Sequence, residues 1–253
     1  MKKTIFPLLM ILCSTLAMAQ PRIAAHRGYW KTEGSAQNSI ASLQKAAACG
    51  CWGSEFDVWQ TADGVPVVFH DDKIDGIKIE DTTYAMLMNH RLQNGEFIPT
   101  LQQFLQEAVK LPAIRLVLEI KPHRNAKRDR MVTEISLALI KEMGLEGRTD
   151  YISFSRDVCR FVHELAPEAN IAFLGGDIAP AQIKEMGLTG IDYQMDVFTK
   201  NPTWAKEAKD LGLEVNVWTV DGEEALTRFA KMPCIDIITT NEPEALQKIL
   251  KRK

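Results

Sequence analysis

Residues 114–121 read Ile-Arg-Leu-Val-Leu-Glu-Ile-Lys. Alternate positions separate cleanly on an extended strand. Leu116, Leu118 and Ile120 share one face, and Val117, Glu119 and Lys121 share the other. A strand covered by helices tolerates Glu119 and Lys121 only if they reach a solvent-open end. Residues 54–59, Ser-Glu-Phe-Asp-Val-Trp, repeat the arrangement, with Phe56 and Val58 on one side and Glu55 and Asp57 on the other. On either side of these, similar runs recur at 22–26, 149–154, 170–174, 190–194, 213–219 and 234–239. Helical patterns at 39–48, 126–143, 156–165, 202–211, 223–230 and 243–250 lie among them. Parallel strands need helical crossovers, so eight strands alternating with helices predict an α/β fold, a TIM (β/α)8 barrel. In that fold the C-terminal strand ends carry the active site, and that is where the charges sit. A doubly wound open sheet is the alternative. No G-x-G-x-x-G follows the first strand, which disfavours its dinucleotide-binding form.

The 253 residues are 46% hydrophobic and 25% charged, with a net charge of −3. That composition fills a sizeable core and is wrong for a disordered chain. No stripe of lysine and arginine offers itself to a phosphate backbone, so a nucleic-acid partner is not expected. Residues 1–19 read as a separate unit. Lys2 and Lys3 precede an apolar run at 5–16, and Ala17-Met18-Ala19 stands before Gln20. This is the pattern of a secretory signal peptide cleaved after Ala19, too short for a stable membrane span. It predicts a periplasmic or secreted protein whose catalytic domain is 20–253. The bulky Leu12 disfavours a lipoprotein anchor at Cys13. Cys49, Cys51, Cys159 and Cys234 remain. A C-x-C pair is a poor bridge and, alone, a poor zinc motif, so all four are expected to pack as small apolar residues.

The polar residues at the strand ends suggest a chemistry. His26-Arg27-Gly28 closes the first strand. The second supplies Glu55 and Asp57 and is followed, after a turn at 61–64, by residues 65–71, Val-Pro-Val-Val-Phe-His-Asp, which contain His70. Residues two apart on a strand lie about 7 Å apart and point the same way. Glu55 and Asp57 therefore converge, and Glu119 completes a three-carboxylate set suited to a hard divalent cation, magnesium or calcium, rather than zinc. His26 and His70 suit a general acid–base pair. Arg27 and Lys121 suit a phosphate. Together they describe a phosphodiester-cleaving site. His90, His123 and His163 are expected to be structural, as are Trp30, Trp52, Trp59 and Trp204.

His26-Arg27-Gly28, Gln37-Asn38-Ser39, Glu55-Phe56-Asp57-Val58, the run 63–71, Ile98-Pro99-Thr100-Leu101, Glu119-Ile120-Lys121, residues 217–220 (Val-Trp-Thr-Val) and residues 236–243 occur in this order. In that order they resemble the glycerophosphodiester phosphodiesterase (GDPD) family over essentially the whole of 20–253. The resemblance implies a TIM barrel with a small insertion after the second strand, at about 60–100. It implies a divalent cation on Glu55, Asp57 and Glu119, with His26 and His70 as the catalytic pair. Arg27 and Lys121 would hold the phosphate of a small-molecule glycerophosphodiester, and Trp218 would line the pocket near the glycerol. Where the family usually reads P-E-N-T, this chain has Ala36-Gln37-Asn38-Ser39, so Gln37 keeps hydrogen-bonding capacity and loses the charge. Two other readings compete. One is a cyclising phospholipase acting on inositol or sphingoid lipids, and the other is an inactive barrel used as a binding protein. The metal-ligand set disfavours the first; the presence of both histidines and all three carboxylates disfavours the second.

Overall fold

A computed structural model describes residues 20–252; the expected signal peptide lies outside them. In chain order the elements are β1 (Arg22–Ala25), α1 (Ile40–Ala48), β2 (Gly53–Gln60), β3 (Pro66–Val68), β4 (Lys73–Ile74), β5 (Ile77–Lys78), α2 (Tyr84–Leu87) and α3 (Leu101–Val109). There follow β6 (Arg115–Ile120), α4 (Ala126–Glu142), β7 (Thr149–Ser153), α5 (Arg156–Leu165), β8 (Asn170–Phe173), α6 (Pro180–Glu185) and β9 (Gly190–Gln194). The last are α7 (Met195–Lys200), α8 (Trp204–Asp210), β10 (Glu214–Trp218), α9 (Glu223–Lys231), β11 (Ile237–Thr240) and α10 (Pro243–Lys251). Eight strands pair in parallel in the order β1, β2, β6, β7, β8, β9, β10, β11, and β11 returns to β1. The sheet is a closed TIM (β/α)8 barrel.

The strand parity divides the core in two. Leu116, Leu118, Ile120, Phe56 and Val58 pack outward with the helices. Val117 turns inward against Ile152 and Leu174. Each fully buried Leu or Ile contributes about 1.5–3 kcal/mol by leaving water, so a register slip that reversed the faces would be heavily penalised. The N-terminal end of the barrel is closed by charge pairs. Arg115 grips Asp150 through two hydrogen bonds of 2.6 and 3.0 Å, and Arg22 pairs with Glu214 beside Trp52. The C-terminal end stays open.

Some boundaries differ from the sequence expectation. The last strand begins at Ile237 rather than at 234, because Cys234 takes a left-handed backbone (φ 74°) that breaks the extended run. Helix α3 was not among the expected segments, although Thr100 and Gln103 form a reciprocal capping box at its start. The segment after β2 folds back as β3, antiparallel to the end of β2 through Val58–Val68 and Gln60–Pro66. With residues up to about 100 it forms the insertion, which carries its own apolar cluster around Trp59, Val67, Ile79, Leu87 and Ile98. Arg124 and Arg128 tie it to the barrel through the buried Glu80. Cys49, Cys51, Cys159 and Cys234 are all unbridged. Among the described residues no helix is long and apolar enough to cross a membrane.

Candidate active site

At the end of β1 the chain turns sharply through two left-handed residues, Arg27 (φ 55°) and Gly28 (φ 74°). A Cβ on Gly28 would lie 2.2 Å from Ser42 Oγ and 2.8 Å from the Ser42 carbonyl carbon, so only glycine fits. The turn aims the Arg27 amide at the barrel mouth, where it donates to Glu55 Oε2 at 2.6 Å. Asn38, also left-handed (φ 59°), braces the neighbouring strand. Its Nδ2 donates to Asp57 Oδ2 at 2.7 Å, and its Oδ1 accepts from the Asp57 amide at 3.1 Å.

Glu55, Asp57 and Glu119 are buried, and each offers an oxygen within 4.8 Å of the others. Asp57 and Glu119 are register partners on adjacent strands, as the sequence pattern requires. Lys121 Nζ stands 2.7 Å from Asp57 Oδ1 and 2.8 Å from Glu119 Oε1. Burial pushes the Glu55 carboxyl well up, with the charges of Asp57 and Glu119 adding to it. Burial, then the Asp57 charge, pushes Glu119 up to about 8. Burial also raises Asp57, but the Lys121 ammonium and its hydrogen bonds outweigh this and hold it below the ordinary carboxylate range. One lysine thus faces three buried carboxylates, and oxygen donors this close fit a divalent hard cation. Glu55, Asp57 and Glu119 are the residues that would hold it.

These shifts carry a stability prediction. Without a cation, the folded protein keeps protons on Glu55 and Glu119 that the unfolded chain has given up above about pH 4.5. Histidines lowered by burial act in the opposite sense, but only below their unfolded value of 6.5. Between pH 6.5 and about 8 the folded state therefore binds more protons, and the stability of the metal-free protein falls as pH rises. A divalent cation should flatten that slope. Thermal unfolding in EDTA and in magnesium or calcium checks this; a cation-independent slope would contradict it.

His26 lies deep in the mouth. Burial, then the Arg27 charge, lowers it to about 4. Its Nδ1 is 3.0 Å from Asn241 Oδ1. The Trp30 indole, a donor only, reaches the same oxygen at 2.8 Å, and Asn241 Nδ2 donates to Asp221 Oδ2 at 2.6 Å. Asn241 Oδ1 is therefore an acceptor, so His26 carries its proton on Nδ1 and leaves Nε2 with a free lone pair. His70 sits on the insertion, lowered first by burial, with Nδ1 2.6 Å from Asp71 Oδ1. The Trp59 indole donates to the His70 carbonyl at 2.9 Å and fixes its place over the mouth. His26, Arg27, Glu55, His70, Glu119, Lys121 and Trp218 line one cavity of about 130 Å³. Asp57 joins them through Lys121.

A model of the glycerophosphoryl diester phosphodiesterase family matches residues 26–245. The chain belongs to this family. A glycerophosphodiester phosphodiesterase from Parabacteroides distasonis, known from its crystal structure, is 47% identical, with a TM-score of 0.90 over 92% of this chain and 98% of that one. The glycerophosphodiester phosphodiesterase of Caldanaerobacter subterraneus is 29% identical over 91% of this chain and 98% of its own length. A phosphodiesterase from Oleispira antarctica, solved with the product sn-glycerol-3-phosphate, is 23% identical and shares the fold with a TM-score of 0.78.

Within this family member, Gln37 accepts from Arg27 Nη1 at 2.6 Å. It orients the guanidinium without neutralising it. His123 is structural, as expected: Nδ1 lies 2.8 Å from the Lys121 carbonyl and Nε2 accepts from the Gln60 amide at 2.9 Å. His90 pairs with Asp75 on the insertion, away from the mouth. Sequence reasoning missed Asn241 and Asp221, and it placed Trp30 and Trp59 among packing residues. The one usable signal was the indole N–H, which needs a partner whenever the ring is buried.

Proposed function

We propose that the protein hydrolyses glycerophosphodiesters to glycerol 3-phosphate and an alcohol. The observation that carries this reading is the meeting, at one small cavity, of two cationic side chains, two histidines and the carboxylates Glu55 and Glu119, with Asp57 clustered behind them. Arg27, held by Gln37, and Lys121 present cationic donors to the phosphate oxygens. His26, neutral at pH 7 with Nε2 free, takes the proton from the attacking oxygen, a glycerol 2-hydroxyl or a water. His70 acts in its protonated form, which Asp57 and the Asp71 hydrogen bond at Nδ1 favour against burial. It gives its Nε2 proton to the leaving alkoxide as the P–O bond breaks, and afterwards His26 releases its proton to solvent and His70 takes one up. A divalent cation on Glu55, Asp57 and Glu119 supplies charge neutralisation for the phosphoryl group. Glycerophosphocholine is the test substrate. Glycerol 3-phosphate should appear with magnesium or calcium, stop in EDTA and resume when the cation is restored. Turnover that persists in EDTA removes the cation from this account, and no turnover with either cation removes the substrate assignment.

A further inference from the structure

The wall of the cavity away from the carboxylates is apolar, made by Ile152, Leu174, Phe154 and Trp218. Asp192 lines the same cavity from β9. Its neighbours Ile191 and Tyr193 turn outward into the helix-facing core, so the Asp192 side chain turns into the barrel, where it is 1% exposed. Oδ2 accepts from Asn216 Nδ2 at 3.0 Å, and the Asn216 amide oxygen is engaged by Thr239 Oγ1 at 3.1 Å. Oδ1 is buried with no hydrogen-bond partner. The Trp218 indole donates to the Asp192 main-chain carbonyl at 2.9 Å, which ties the ring to the β9 backbone at Asp192.

We propose that Asp192 binds a hydroxyl of the substrate's glycerol moiety and so sets the enzyme's preference for polyol phosphodiesters. The inference rests on the glycerophosphodiester reading above. The carbon skeleton lies against Trp218 and the apolar wall, and the phosphate faces Arg27 and Lys121. A hydroxyl, both donor and acceptor, is then the substrate group that the remaining carboxyl oxygen matches. Burial pushes the Asp192 carboxyl up to about 8, against the opposing hydrogen bond from Asn216. Near pH 7 the group is therefore a neutral acid, which suits a hydroxyl better than an ammonium. A buried polar group left unpaired is costly, and this is how such a site rejects an analogue that lacks the hydroxyl. Asp192 also lines a space of about 20 Å³ deeper in the barrel, room for one water. A role confined to the barrel's own hydrogen bonding is thus the competing account.

The test compares binding of glycerol 3-phosphate with propyl phosphate, its hydroxyl-free counterpart, to the cation-loaded protein by calorimetry. Wild type should prefer glycerol 3-phosphate. Asp192→Ala should shrink that preference by roughly ten- to hundredfold, with propyl phosphate affinity held within about threefold. Asp192→Asn, which keeps the volume and a hydrogen-bonding atom for the cavity, should retain most of it, and gives the comparison if the alanine variant fails to fold. A structural role would move the thermal midpoint, or both affinities together, and leave their ratio alone. An unchanged ratio in a folded Asp192→Ala, or a loss in Asp192→Asn equal to that in alanine, overturns the proposal. Wild type that hydrolyses glycerophosphocholine without preferring glycerol 3-phosphate overturns it alone. Wild type that neither hydrolyses the diester nor binds glycerol 3-phosphate overturns the underlying reading as well.

Discussion

Replacing His26 with alanine is expected to lower kcat on glycerophosphocholine by about 10²–10⁴-fold, the range for a positioned proton-transfer group. The expectation follows from the hydrogen-bond chain behind the ring. Asp221 accepts from Asn241, which leaves the amide oxygen to receive the Trp30 indole and the His26 Nδ1–H. That chain selects one tautomer and directs Nε2 into the cavity. Burial, then Arg27, keeps the ring neutral down to about pH 4. The acid limb of kcat/KM should therefore fall near pH 4, since a base loses activity as the pH drops through its pKa. Asn241→Leu should reduce kcat by about tenfold or more, with a smaller effect on KM, because it frees the tautomer without removing the base. Full activity in His26→Ala would exclude the residue as the base.

Lys121→Met is expected to have the second large effect, in stability as well as activity. Lys121 is buried between Asp57 and Glu119; burial lowers its pKa, but the charges and hydrogen bonds of those two carboxylates together raise it above the ordinary lysine value. Without it, the three buried carboxylates keep, among the described residues, only Arg27, whose Nε lies 4.0 Å from Asp57 Oδ2, as a direct counter-charge. Breaking a buried ion pair on one side costs about 3–5 kcal/mol. For a chain of this size that is a fall of about 6–20 °C in Tm. The loss should be greatest in EDTA near pH 8, where the carboxylates ionise, and smaller at pH 6.5 or with a bound cation. On the proposed reading activity should fall in every condition, because the phosphate would lose a donor. Equal destabilisation with and without the cation would separate Lys121 from the cation site.

Most of the site's parts were legible because strand geometry is local. A period of two separates Glu119 and Lys121 from Leu118 and Ile120 whatever the rest of the chain does. The same period sends Glu55 and Asp57 in one direction. The His26-Arg27-Gly28 turn is likewise short-range and survives as a motif, whereas the Asn38 brace crosses 19 residues to Asp57 on the neighbouring strand and needed the fold. His70 was legible only as part of a motif, since its place over the mouth depends on β3 folding back against β2.

Residue order alone carries the alternation, the inward and outward faces, the cluster of acids, histidines and cations at strand ends, and the likeness to a phosphodiesterase family. Which strand ends become neighbours depends on the folded barrel. Barrel closure sets β11 beside β1, with Thr240 opposite Ala25, and so delivers Asn241 to His26 across 215 residues of chain. It likewise sets Asp192 beside Asn216 under Trp218, with one oxygen left over. Those contacts have no period and no spacing, because they arise from packing between segments whose separation in sequence is arbitrary.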